Sequence, residues 1–185
     1  MSKKFTTAHL CFIAFAIVIN IVGSQIALTL RLPIYLDSIG TIFIAAICGP
    51  IYGMIPSLIS GLLFGMTSDV YALYYAPVGI VLGALTGLVW KYKKETFWWP
   101  FLATLLITIP TSFFSALITA HLFGGITSSG SSMLVQLLSN TPLGLTWSCF
   151  IVQWLTDYVD KWIGIILVLM IIKRLPSSFL QKLKR

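Results

Sequence analysis

The sequence predicts an all-α polytopic membrane protein: six transmembrane helices in a compact bundle, with short extra helices or loops on the outer side. Three observations carry that reading. Of 185 residues, 58% are hydrophobic and only 9% are charged, whereas a soluble domain carries roughly a quarter charged residues. Mean hydropathy is +0.97. The apolar runs are long, as crossing helices of about 20 residues require, and do not alternate as β-barrel segments of about 10 residues do. Such a composition argues against a soluble enzyme, a nucleic-acid binder or a disordered tail. One membrane-embedded domain over residues 1–185 is expected.

The spans follow in order. Span one covers about residues 8–30 and is too long for the apolar part of a signal peptide. Leu32-Pro33 ends it, because proline disfavours helix in the residue before it. Span two covers about 36–48 and stops at Gly49-Pro50. Span three covers about 51–66, with a bend expected at Pro56, where a backbone hydrogen bond is lost. Span four covers about 77–90 and is halted by Lys91, Lys93 and Lys94. Span five covers about 97–123. A polar stretch from Gly124 to Ser132 follows. Span six covers about 158–172 and ends at Lys173-Arg174-Leu175-Pro176. Between them, residues 133–156 are apolar but carry Gln136, Asn140, Pro142 and Gln153. They are read as short helices packed into the outer mouth. Spans two and three are short for a lipid crossing, so tilt or local thinning is expected.

Charge sets the orientation. With six spans, Lys3, Lys4, Lys91, Lys93, Lys94 and Lys173 share one face with Arg174, Lys182, Lys184 and Arg185, and only Arg31 and Lys161 fall on the other. Cytoplasmic loops carry the excess of Lys and Arg, so both termini are expected in the cytoplasm. The net charge of +7 then reports orientation, with lipid contact as a minor use of the basic tail.

Four features could carry function. The first is a row of small residues every four positions: Thr41, Ala45, Gly49, Gly53, Ser57, Gly61 and Gly65, and again Gly79, Gly83 and Gly87. Small-xxx-small faces let helices approach closely in lipid, either within the bundle or against a partner. The second is the aspartate set, Asp37, Asp69, Asp157 and Asp160, placed at outer ends of spans. Carboxylates near a membrane are costly and often functional. Asp37 suits either an N-cap of span two or a ligand contact. Asp157, Asp160 and Lys161 lie within a helical turn of one another and suit an internal ion pair. The third is a group of outer aromatics, Tyr35, Tyr71, Tyr74, Tyr75, Trp147 and Trp154, with His121 and Asn140 beside them. An interfacial belt explains many aromatics, yet an aromatic-lined mouth with a few polar groups also describes a small-molecule pocket. The fourth is cysteine: Cys11, Cys48 and Cys149 stand in apolar runs and read as buried small hydrophobes. His9 reads as interfacial, and Trp98 and Trp99 as an inner belt. No phosphate-binding loop and no HExxH or GxSxG is present, so neither nucleotide hydrolysis nor another enzymatic activity is expected of this chain, and no metal is expected.

The stretch from Leu32 to Ile42, then Cys48-Gly49-Pro50-Ile51-Tyr52-Gly53, then Asp157-Tyr158-Val159-Asp160-Lys161 with Leu175-Pro176, resembles the substrate-binding S component of an energy-coupling-factor (ECF) vitamin transporter. Within that family it is most similar to the cobalamin-specific CbrT group. The resemblance implies high-affinity vitamin binding from outside and association with a module of one transmembrane coupling protein and two ATPases. The S component then topples in the membrane to release its cargo inside. ATP belongs to the partner subunits, and this chain carries no cofactor besides its vitamin ligand. The implied pocket lies among the outer loops, with Tyr35, Asp37, Asp69, Tyr71, Tyr74, Tyr75, His121, Asn140, Trp147, Trp154 and Asp157. The AxxxA element that such proteins often carry in span one is lacking. Thr7-xxx-Cys11 is the nearest early small pair, and docking is assigned to Cys11, Ala14, Gly53 and Ser57. Riboflavin, a pyrimidine or a pyridoxine-type vitamin would suit the same chemistry, and a membrane sensor or scaffold domain is the reading from a different class.

Overall fold

The computed structural model describes residues 6–176 and residue 180. Lys3, Lys4, Lys182, Lys184 and Arg185, half of the inner cation set, lie outside the described residues. Among those described there are seven helices: α1 Thr7–Thr29, α2 Ile39–Cys48, α3 Pro50–Thr67, α4 Tyr71–Lys91, α5 Trp99–Phe123, α6 Ser132–Ser139 and α7 Gly144–Arg174. By length and composition, α1, α3, α4 and α5 are each able to cross a membrane. The described residues are thus all-helical in their regular structure and read as a helical membrane protein.

Each start has a local cause. Thr6 caps α1 in a capping box with His9, whose ring reaches back to the Thr6 backbone. His9 is buried and stacked on Tyr52, with ring centroids 4.9 Å apart. α4 begins at Tyr71, six residues before the expected start at 77. The Asp69 carboxylate accepts the Tyr71 N–H at 3.2 Å, an Asx turn that launches the helix, and Pro77 is accommodated inside it. Tyr71, Tyr74 and Tyr75 thus belong to the first turns of α4 and not to a loop.

The segment 133–156 divides unequally. Its first part is the short helix α6. The rest is continuous with the last helix, which begins at Gly144 and runs 31 residues, about 46 Å at the α-helical rise. Ser148, Cys149, Val152 and Gln153 are buried, a helical-period face that continues into Asp157, Asp160 and Lys161. Those three charges stand mid-helix, not at the start of a span as expected.

α2 is the other departure. Its 10 residues reach about 15 Å, half of a hydrocarbon core of roughly 30 Å. Eight of the ten are buried, so α2 is an interior helix. Its first turn sits beside the middle of α1: the Gly40 N–H donates to Asn20 Oδ1 at 2.9 Å, and a Cβ on Gly40 would meet the Ala16 carbonyl oxygen at 2.2 Å. The segment 31–38 therefore leaves the end of α1 and returns along it into the bundle. Irregular backbone at that depth is tolerated where protein surrounds it.

α3 and α4 form the most extensive helix pair, and small residues join them in antiparallel register. A Cβ on Gly83 would lie 2.3 Å from the Gly53 carbonyl oxygen, one on Gly79 2.8 Å from Ser57 Cβ, and one on Gly87 2.4 Å from Pro50 Cα. The small-residue row is internal packing. This corrects the assignment of Gly53 and Ser57 to partner docking: Ser57 is buried and Gly53 faces Ala45 and Gly83. Cys11 and Ala14 are exposed on α1, and Cys11 departs from the expected burial that Cys48 and Cys149 show. Trp98 is exposed, while Trp99 is buried edge-on against Trp90.

The bundle has two unlike ends. One holds the main apolar core, where Ile13, Phe43, Ile47, Ile107, Ile165 and Val168 meet. Lys91, Lys93, Lys94, Lys173 and Arg174 belong to this end, at the last turns of α4 and α7 and just beyond α4. The other end holds the connections 30–38, 68–70 and 124–131, and a cavity.

Candidate functional site

The cavity has a volume of about 150 Å³, space for roughly ten water-sized positions at about 10–15 Å³ each. Its apolar wall comes from Leu28 of α1, Phe64 of α3, and Val78 and Leu82 of α4. Hydroxyls enter from Ser57 and Ser60 of α3, Thr111 and Ser115 of α5, and the loop residues Thr127 to Ser129.

The charged side is built around Lys161, which is 5% exposed. Its Nζ donates to Asp160 at 2.6 Å and to Asp37 at 3.2 Å, and lies 3.9 Å from Asp157. A buried ammonium needs such partners, since desolvation exceeds its attraction to any single one of them. Two of the carboxylates have a further task. Asp160 accepts the Leu36 N–H at 2.9 Å and so holds the returning segment, where Leu36 takes a left-handed φ of 52°. Asp157 accepts from Ser112 Oγ at 2.6 Å and ties α7 to α5. Asp37 does not cap α2: Ser38 occupies the cap position without a side-chain bond, the Gly40 N–H is taken by Asn20, and Asp37 turns to the Lys161 ammonium instead.

Two further groups roof the cavity. Tyr35 Oη reaches Ser131 Oγ at 3.5 Å, and its ring lies 5.8 Å from Lys161 Nζ. Burial, with the nearby Asp157 charge second, pushes the Tyr35 phenol up to about 12, so it stays protonated at neutral pH. Asp69 accepts from Ser128 Oγ, joining the α3–α4 turn to the 124–131 loop. A Cβ on Gly130 would meet the Arg31 carbonyl oxygen at 2.2 Å, so the two loops touch over the site.

Beneath the cavity lies a polar network that fixes the start of α2. Asn20 Nδ2 donates to Thr41 Oγ1 at 2.8 Å, and Thr41 Oγ1 is 2.9 Å from Ser57 Oγ. Asn20 is fully buried. On the far side, Tyr75 Oη is 2.5 Å from Thr119 Oγ1, which also accepts from Gln153.

Of the eleven residues assigned to ligand binding, six line this cavity: Tyr35, Asp37, Asp69, Tyr71, Tyr75 and Asp157. The other five are not brought to it. Tyr74 is half exposed with its ring edge-on to Phe123. His121 is exposed and bonds to the Leu117 carbonyl. Asn140 is exposed at the end of α6 and bonds to the Gln136 carbonyl. Trp147 is 60% exposed and edge-on to Phe150. Trp154 lies half-buried on α7 outside the lining. Sequence reading missed Ser57, Ser60 and Thr111 as lining and Asn20 as their support. The available signal was a polar residue recurring at helical spacing inside an apolar run, as Thr104, Thr108, Thr111 and Ser115 do on α5.

Comparison of the chain with protein-family models, with curated proteins and with solved structures finds no match.

Proposed function

We propose that this chain is the substrate-binding subunit of an ECF-type vitamin importer, taking its ligand from outside the cell and delivering it with a coupling protein and two ATPase partners. The observation that carries the reading is the roofed cavity at one end of the bundle, with an apolar wall, a ring of hydroxyls and a buried ion centre. Small-molecule sites are built this way, with a few placed polar groups in an apolar pocket. In this reading six helical segments cross or enter the membrane: α1, α2, α3, α4, α5 and α7. Lys91, Lys93, Lys94, Lys173 and Arg174 at the opposite end support a cytoplasmic placement of that end and of both termini. The exposed Cys11 and Ala14 on α1 remain the docking residues proposed for the coupling protein.

The resemblance points to cobalamin. The cavity volume of about 150 Å³ supports a single-ring vitamin of the pyrimidine or pyridoxine type instead. A corrin would enter only with the 31–38 and 124–131 segments withdrawn. The direct test is mass spectrometry of protein purified from membranes, read for a retained vitamin, together with cellular uptake measured with and without the ATPase module. A retained vitamin and module-dependent uptake are expected. Uptake that ignores the module would sink the proposal, as would a chain that binds no vitamin.

A further inference from the structure

The balance of charge in the cavity names the kind of ligand. Asp37, Asp69 and Asp157 line it, and Lys161 is the single cation among the lining residues. Asp160 stands directly behind Lys161, 2% exposed. The ammonium has three N–H donors. Two are taken by Asp160 and Asp37, and the third faces Asp157 at 3.9 Å. An anionic ligand would therefore have to displace a carboxylate already bound to Lys161, inside a site where like charge is already in excess. Acceptors, by contrast, are in surplus. Each carboxylate offers about four lone-pair sites, and the protein fills few of them: Asp157 holds Ser112, and Asp69 holds Ser128 and the Tyr71 N–H. The lining also presents the tyrosines Tyr35, Tyr71 and Tyr75, whose faces attract cations.

We infer that the cavity selects a small planar cation of roughly ten non-hydrogen atoms that carries N–H donors, such as an amidinium or a ring bearing an ammonium group. The inference rests on the binding-subunit reading above and narrows its substrate class. Ring size comes from the volume, the charge sign from the carboxylate excess, and the N–H donors from the unfilled acceptors. Asp69, at the α3–α4 turn, and Asp157, on α7, are the residues that set the preference.

Three probes of one shape and three charges test it. Benzamidine, benzamide and benzoate are titrated against the full-length protein in detergent, followed by calorimetry and by the shift in unfolding temperature. Benzamidine is expected to bind at least about tenfold more tightly than benzamide, a difference of about 1.4 kcal/mol, and benzoate is expected not to bind. D69N keeps one oxygen to accept the Tyr71 N–H, and its new NH2 can donate to the Ser128 hydroxyl, which accepts as well as donates, so it is expected to fold. It should weaken benzamidine about fivefold and benzamide distinctly less, since only the first loses a charge partner; D157N is the parallel test on α7. Benzamide or benzoate binding as tightly as benzamidine overturns the inference, and so does binding of none of the three. An equal loss of benzamidine and benzamide in D69N assigns Asp69 to structure and overturns its role. The transport reading fails or stands separately. A retained neutral vitamin with no charge preference among the probes removes the cation selectivity alone. A clear benzamidine preference with no retained vitamin and no uptake removes the transport reading alone.

Discussion

Ile165 and Val168 of α7 are fully buried among Ile13, Phe43 and Ile107 at the packed end of the bundle. One turn earlier on the same helix, Lys161 is almost as deeply buried, but its neighbours are three aspartates. At the packed end, apolar volume alone decides the fit, and changes of a methyl group are felt singly. At the cavity end, Lys161 and Asp160 reach the same degree of burial by pairing, with Asp157 beside them and the exposed Asp37 completing the set. Asp160 also holds the Leu36 backbone, and Asp157 the neighbouring helix α5. The first arrangement is tolerant of exchange between similar side chains. The second is tolerant of almost none at its buried members, because removing Lys161 leaves Asp160 charged and dry.

The largest expected effect is at Lys161. Changing Lys161→Met leaves Asp160 buried without its cation and releases the contact with Asp37. Breaking a buried ion pair by removing one partner costs about 3–5 kcal/mol. Thermal unfolding in detergent should show that loss, and the double change K161M/D160N should recover part of it, since the residual charge is then removed. A single variant as stable as the parent would mean that the pairing contributes nothing and that the two ends do not differ as argued.

Next is the α3–α4 seam that joins both ends. Gly83→Val would place a Cβ 2.3 Å from the Gly53 carbonyl oxygen, with backbone on both sides and no flexible group to yield. Overpacking of a tight core costs about 1–3 kcal/mol or more. The expected outcome is a fall in unfolding temperature and in ligand binding together, as the cavity residues Ser57 and Gly79 flank the same seam. Loss of uptake with binding intact would return this face to partner docking.

Asn20→Ala probes the floor of the cavity. It orphans the Gly40 N–H and leaves the Thr41 hydroxyl with Ser57 alone, and leaving a buried polar group unsatisfied costs about 1–3 kcal/mol. Hydrogen exchange at the start of α2 should rise while the packed end stays protected. In contrast, Ile165→Val at the packed end should cost about 0.5–1.5 kcal/mol, read as a smaller drop in unfolding temperature with no change in ligand affinity.

These contrasts explain what could be read from the chain directly. The helical class, the breaks at Leu32-Pro33 and Gly49-Pro50, and the ends of α4 and α5 follow from composition and from proline and glycine, which act locally. The start of α4 was obscured because Pro77 looked like a boundary, while Asp69 eight residues earlier supplied the turn that opens the helix. The burial of α2 was not legible, since ten apolar residues read alike in lipid and in a protein interior; only the match of Asn20 to Gly40 across a return of the chain distinguishes them. The same holds for the ion centre. Asp157, Asp160 and Lys161 were visible as neighbours on one helix, but Asp37 joins them from 124 positions away, a pairing that no local spacing encodes. The aromatics divided for a related reason. Tyr75 and Trp147 look equivalent as outer-end rings, and only the direction each helix presents separates them.

That pair gives the smallest and sharpest test. Tyr75→Phe removes the hydroxyl shared with Thr119 at 2.5 Å and keeps the ring in the cavity wall. A lost hydrogen bond of this kind costs about 0.5–1.5 kcal/mol of stability and frees the ring to shift in the cavity wall, so ligand affinity should fall, by at most roughly tenfold. Trp147→Ala removes far more surface, but from a side chain that is 60% exposed and outside the cavity. Its ring stands edge-on to Phe150 on its own helix, so affinity for the retained ligand should be unchanged within error. If size of side chain governed the site, the tryptophan change would be the worse of the two. If position governs it, one oxygen atom on Tyr75 outweighs the whole indole, and calorimetry on the two variants decides which.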